Sequence, residues 1–388
     1  MLHIFDFLKG LLSGLRDSAI PVQTAAASSL RVFIAAGGAQ DMLRPIIPDL
    51  IKEYFRILTE SESSSVVDSL QSIVQQFGDD IIPLAPAMTV RLTEFFQQFS
   101  AAANGDEEDD DAIWFTSSIL GTIESVMEAC EERPDVLSQL ETILLPLIQS
   151  IVSSESQGLE YLDQMLSMIQ WFTYHIDQIS PGMFSVCGPL LLAMNDFAYD
   201  YLPDMCGPML NFISKQPQMF LAGSYQSKSY LVSLLENIEK AFQNDETEYQ
   251  VEAKAAATML TSLLSSTRGL ISSTLPAVYQ LIVAKLAKVA NPVSSESQAL
   301  KGSKTLIHRL LDSLLALIFN DTSLALRLFA VKTLALCALK YCSRALVFVP
   351  MLSLYAILYL SHLSPVTCHL SPFSLFDGHT CRFPCGNV

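Results

Sequence analysis

Charge is scarce in this chain, and positive charge most of all. Only 16% of its 388 residues are Asp, Glu, Lys or Arg, against about 25% in an average soluble domain. Acids outnumber bases 40 to 23, a net charge of −17. A field of that sign repels nucleic acid and anionic membranes and favours basic partners, so neither nucleic acid nor membrane is an expected partner. Alternating, β-branched strand-like runs are nearly absent. No stretch before residue 344 reaches about 18 uninterrupted apolar residues, the length of a membrane span. The opening MLHIFDFLKG carries Asp6 and no basic leader, so a signal peptide is not expected.

Catalytic signatures are missing as well. There is no G-x-S-x-G elbow, no H-E-x-x-H and no complete phosphate loop. The nearest approach to the last, LKGSKT from Leu300 to Thr305, lacks the first glycine and a preceding strand, and reads as helix-start chemistry. His175 and His308 have no acid or cysteine at ligand spacing and are expected at the surface or core edge. Cys130, Cys187 and Cys206 stand singly in apolar helical patterns, as buried thiols do, and suggest a reducing compartment. No enzyme activity, cofactor or metal is expected. The sequon Asn320-Asp321-Thr322 is idle unless the chain is secreted.

What is present is helical periodicity. Leu231, Leu234, Leu235, Ile238, Ala241 and Phe242 share one face of a helix, as do Leu159, Leu162, Leu166, Ile169 and Phe172, and again Leu306, Leu310, Leu314 and Leu317. About fifteen helices are predicted, separated by polar punctuation such as SESSS, SSESQG and NPVSSES. A proline phrase recurs around Pro48, Pro86, Pro146, Pro189, Pro208 and Pro276, marking helix starts or mild kinks. Helix pairs recurring every ~40–50 residues have the HEAT/armadillo period. The fold class is therefore all-α, a HEAT/ARM-type solenoid of antiparallel helix pairs over residues 1–340.

Two segments break the rhythm. One is the run Asp106, Glu107, Glu108, Asp109, Asp110, Asp111, read as a solvated loop insert at about 104–111. Six carboxylates there would attract a basic partner or solubilise the chain. Trp114 just beyond is either a stacking anchor for that partner or, as the favoured reading, a core residue of the next helix. The other is the segment 341–388, where Asp377 is the sole acid and amphipathicity is lost. It is expected to be disordered or a gene-model artefact. An apolar stretch from Ala345 to Leu363 and a Cys/His group (Cys368, His369, His379, Cys381, Cys385) suggest a membrane span or a zinc site only by composition.

Several stretches resemble the importin-β superfamily of karyopherins, in the branch of importin seven and importin eight. They are LRDSAIPVQTAAASSLRVFI, GDDIIPLAPAMTVRL, the acidic insert, SSILGTIESVMEACEERPDVLSQLETILLPLI and, most specific, Ser180 to Ile213. The resemblance runs from near Met1 to about Leu339, roughly a third of a solenoid of this type. It implies nuclear import of basic cargo such as ribosomal proteins and histones, controlled by the GTPase Ran, with nuclear pore proteins as further partners. Location would be cytoplasm and nucleus, including the nuclear envelope and pore. The family's Ran-binding arch and C-terminal repeats have no counterpart in the sequence, so the chain is expected to be a fragment, and no Ran contact carries over residue by residue. The alternative within the same physics is a non-transport HEAT scaffold.

Overall fold

In a computed structural model of the chain, described over residues 2–35, 40–103, 110–244, 250–290 and 297–328, the predicted periodicity is realised as a series of helices. In chain order they are α1 (Leu2–Gly14), α2 (Ile20–Ala35), α3 (Gln40–Leu43), α4 (Ile47–Ser61), α5 (Ser64–Gln76), α6 (Gly78–Ile81), α7 (Ala85–Ala103), α8 (Asp110–Ala129) and α9 (Pro134–Val152). There follow α10 (Glu155–His175), α11 (Pro181–Phe184), α12 (Cys187–Asp196), α13 (Leu202–Lys215), α14 (Pro217–Ala222), α15 (Tyr230–Gln243), α16 (Val251–Ser266), α17 (Leu275–Ala290) and α18 (Ser297–Asn320). The long helices pack as α1/α2, α4/α5, α7/α8, α9/α10, α12/α13, α15/α16 and α17/α18, each pair against its neighbours in sequence. First helices begin at Leu2, Ile47, Ala85, Pro134, Cys187, Tyr230 and Leu275, in steps of 38 to 53 residues. That is a helical-repeat solenoid. Contacts divide the chain at Leu328, and this array lies in the unit Met1–Leu328; the expected boundary near Tyr341, the apolar stretch and the Cys/His group lie outside the described residues.

The second helices α2, α5, α8, α10, α13, α16 and α18 form one continuous layer, and a side-chain bond crosses each joint. Ser69 donates to the Ala27 carbonyl (2.7 Å) and Gln71 Nε2 to the Gly121 carbonyl (3.0 Å). The Thr116 and Tyr161 hydroxyls pair at 2.9 Å, and Asn211 Nδ2 donates to Thr173 Oγ1 at 3.0 Å. Cys206 Sγ approaches the Ala255 carbonyl at 3.8 Å, and Ser313 donates to the Ala257 carbonyl at 3.1 Å. Four of the acceptors are carbonyls of Ala or Gly, whose short side chains leave the helix backbone open to a neighbour. Buried polar groups need such partners, so the ladder also fixes the register of successive helices.

The punctuation residues act as caps. Ser154, Ser180 and Ser229 accept bonds from the backbone N–H of Gln157, Met183 and Val232, satisfying donors that helix starts leave orphaned. Asp17 does the same for Ala19 at 2.9 Å. Pro21, Pro48, Pro86, Pro189 and Pro276 sit in first turns, but Pro146 and Pro208 lie inside α9 and α13, where each removes one backbone bond. One expected core position turns outward: Leu159 is 50% exposed because Tyr161, Leu162 and Met165 set the buried face of α10.

One element was not expected. A two-stranded ribbon, β1 (Ser224–Tyr225) with β2 (Lys228–Ser229), closes through Gln226 and Ser227, both left-handed at φ 48° and 68°. Among the described helices, α9 alone has the length and mean hydropathy (1.3) of a membrane span, with half of that window buried. It packs against α7, α10 and α12, the setting of a core helix.

Candidate partner-binding surfaces

Asp106 to Asp109 lie outside the described residues. Asp110 and Asp111 are not loop, as expected, but the first two residues of α8. Trp114 corrects the favoured expectation. It is 70% exposed, because Phe115, Ile119, Leu120 and Ile123 define the buried face of α8 and Trp114 stands one ~100° step off it. The structure thus sets a solvent-facing indole one turn beyond the acidic run.

A second acidic locus lies between α10 and α13, which the sequence reading missed. Burial raises the Tyr201 phenol, and Asp163, Glu160, Asp204 and Asp200 all lie near enough to raise it further. Asp163 is itself raised by burial and by Asp204. Part of the signal was there in spacing: Glu160 and Asp163 are three apart on α10, which puts them on one helical face, whereas Asp200 lies in the short turn Tyr199–Tyr201 before α13 and Asp204 in the first turn of α13.

Among the described residues three cysteines are free, and each thiol is held in its protonated form by burial. Burial pushes the Cys130 thiol up to about 11 and Cys206 to about 12, and raises Cys187 further still. Leu300 to Thr305 lie within α18 rather than in a phosphate-cradling loop, and His308 is exposed. Asn320 is buried, its amide bonded to the Leu264 carbonyl at 2.7 Å. Among the described residues no His/Cys/Asp/Glu group could hold a metal ion.

His175 sits at the core edge, as expected. Its ring lies 4.4 Å from Trp171 and 4.8 Å from Tyr174, and Nδ1 is 3.8 Å from Glu131 Oε1. Burial lowers its pKa, Glu131 opposes this, and Lys215 lowers it further. The folded protein therefore binds the proton less readily than the unfolded chain. The associated stability is complete above the unfolded value of about 6.5 and is lost as pH falls through that value. Replacing His175 by Gln is expected to narrow the gap between thermal midpoints at pH 7.5 and 5.5, measured by circular dichroism.

Two concavities lie on the first-helix side. A groove of about 440 Å³ runs between α4 and α7, floored by Ile51, Phe55 and Met88 and rimmed by Lys52, Arg56 and Arg91. A cavity of about 90 Å³ lies between α12, α15 and the ribbon.

No family model matches the chain. Among curated proteins it is 27% identical to a probable importin-7 homolog of Dictyostelium discoideum over 284 residues, 73% of this chain and 26% of that protein. It is 30% identical to an importin beta-like SAD2 homolog of Arabidopsis thaliana over 214 residues, 54% and 21% of the two. Human importin-8 is 23% identical over 275 residues, 71% and 26%. A crystal structure of importin beta superposes with a TM-score of 0.41 at 11% identity, covering 81% of this chain and 44% of that one. The chain spans about a quarter of the length of the curated relatives it matches. The chain is thus similar in sequence to importins, relatives of importin-7 and importin-8 among them, and carries a serial array of helix pairs.

Proposed function

We propose that this chain is a portion of a nuclear transport receptor that binds basic protein cargo, such as ribosomal proteins and histones, for Ran-regulated import. It is read as a binding protein rather than an enzyme, working between cytoplasm and nucleus, with pore proteins completing its partners. The observation that carries the reading is the exposed Trp114 at the start of α8, directly after six acids, in a chain similar to importins. The acids supply long-range attraction and the indole a place for a guanidinium or aliphatic stem to stack. Glu160 and Asp163 on α10 and Asp204 on α13, with Asp200 just before α13, extend the negative field along the second-helix layer.

Exposed charges act over only ~8 Å at physiological salt, and each exposed pair contributes at most ~1 kcal/mol. The run should therefore govern association more than residence. Replacing Asp106 to Asp111 with Ser and Gly is expected to slow association with a histone by roughly tenfold at low ionic strength and to flatten its salt dependence. Trp114→Ala is expected instead to speed dissociation, weakening binding about tenfold. Stopped-flow kinetics separates the two. An unchanged association rate in the first variant would leave the run a solubilising insert. No histone binding at all would favour a non-transport scaffold.

A further inference from the structure

The joint between the first helices α4 and α7 is open where its successors are closed. α7 packs on α9, α9 on α12, α12 on α15 and α15 on α17, whereas α4 and α7 meet far less closely. The groove of about 440 Å³ lies in that gap. One wall is a single face of α4, on which Ile51, Lys52, Phe55 and Arg56 follow at three- and four-residue steps, and the other carries Ala87 and Arg91, four apart on α7. Ile51 and Met88 are buried beneath the opening, and Phe55 is half-buried. Phe55 stacks on Phe95 with ring centres 6.2 Å apart and planes 7° apart. The floor is therefore a fixed apolar surface, and covering it is favourable.

The rim carries the sign of charge that is scarce elsewhere. Lys52, Arg56 and Arg91 line the groove, and none of the described lining residues is acidic, in a chain with 40 acids to 23 bases. The acids that pair with the three cations, Asp49, Glu53, Glu60 and Glu94, sit on the same helices as their partners and do not line the groove. Lys52 gives one of its three ammonium hydrogens to Asp49, and Arg91 one of its five guanidinium hydrogens to Glu94. Both side chains are more than half exposed, and exposed pairs of this kind are weak, so each cation can take a further carboxylate. Arg91 is kept beside the floor by the Phe95 ring, 5.5 Å beneath its guanidinium. Arg56 is anchored instead, donating to the Leu15 carbonyl at 2.8 Å and to Gln23, and acts as a fixed charge.

An apolar floor between two basic walls selects its occupant by charge as well as by shape. A lysine- or arginine-rich segment is repelled, and an uncharged one gains only the floor. We propose that this groove docks a short acidic–apolar segment of a partner polypeptide, in which bulky apolar side chains are flanked by aspartate or glutamate. An apolar side chain lies on Ile51, Phe55 and Met88, and carboxylates on either side of it accept from Lys52 on one wall and Arg91 on the other. The sign is opposite to that of the surface beside Trp114, so the groove takes a different class of partner and stands independently of the cargo reading.

The test follows the fluorescence anisotropy of a fluorescein-labelled peptide, in which phenylalanine and leucine alternate with pairs of glutamate, titrated with the full chain. Saturable binding is expected, weakening as salt rises. The same peptide with glutamine for every glutamate is expected to bind about tenfold more weakly. The double change Lys52→Glu and Arg91→Glu, at two exposed positions, is expected to weaken the acidic peptide by about tenfold or more with an unchanged circular dichroism spectrum. Ala87→Trp, at an exposed position on the groove wall, fills the groove and leaves the cations in place; it is expected to abolish binding of both peptides. Equal binding of the two peptides would make the groove a reader of apolar side chains alone. Undiminished binding in Ala87→Trp would put the peptide elsewhere on the chain. Tighter binding after Asp106 to Asp111 are replaced by Ser and Gly would make that run the groove's own occupant. Each of these results, and equally the absence of saturable binding, would overturn the proposal.

Discussion

Phe212→Ala is expected to destabilise the array by about 3–5 kcal/mol, the cost of removing a fully buried aromatic and leaving its cavity. Phe212 has no exposed surface and meets Phe184 edge to face at 5.3 Å between ring centres. Phe184 in turn lies near Tyr230, which meets Phe220, so one aromatic cluster joins α11, α13, α14 and α15. In a repeat array stability is approximately a sum of pair and neighbour terms, so the loss should be local. Hydrogen exchange should show protection falling in α12 to α16 and holding in α1 to α5. Uniform loss along the chain would mean that the pairs unfold as one cooperative unit.

Asn320→Asp is expected to cost a similar ~3–5 kcal/mol at neutral pH, as an uncompensated buried charge does. Asn320 Nδ2 donates to Leu264 O at 2.7 Å, and its Oδ1 and backbone carbonyl both face the N–H of Gly269, at 3.3 and 3.1 Å. Gly269 needs its φ of 73° to turn the chain there. A carboxylate in this place faces the Leu264 carbonyl with no proton to share. Burial raises a carboxyl pKa, so stability lost at pH 7 should return as pH falls and the group becomes neutral. Denaturation midpoints against pH would show that recovery, and a deficit independent of pH would assign the loss to packing instead.

Much of the fold was legible because the array reuses one pattern. Leu306, Leu310, Leu314 and Leu317 are buried as their three- and four-residue spacing requires, and first-turn prolines mark five starts. Steric detail was less legible. Nothing in LLP or CGP separates a proline at a helix start from Pro146 or Pro208 within one, since both contexts are apolar. The ribbon escaped notice because Ser224 to Ser229 lacks alternating apolar residues and its turn is Gln-Ser rather than Asn-Gly. Trp114 was misjudged because hydrophobicity alone cannot tell which of two adjacent aromatics, Trp114 or Phe115, faces inward. The acidic run was visible as charge, but the four acids around Tyr201 come together only when α10 and α13 pack.

The polar ladder along the second helices has a bearing on how the chain is made. Ser69 waits for nothing, since Ala27 precedes it by 42 residues, and Ser313 and Asn320 find Ala257 and Leu264 just 56 residues behind them. At a synthesis rate of about 5–20 residues per second, an exposed helix carbonyl meets its partner within roughly 2–12 seconds of being made. Each new pair can dock on a finished surface while the ribosome is still working. Apolar faces are then uncovered one pair at a time, which limits the interval in which a chain with this much hydrophobic sequence can aggregate or recruit a chaperone.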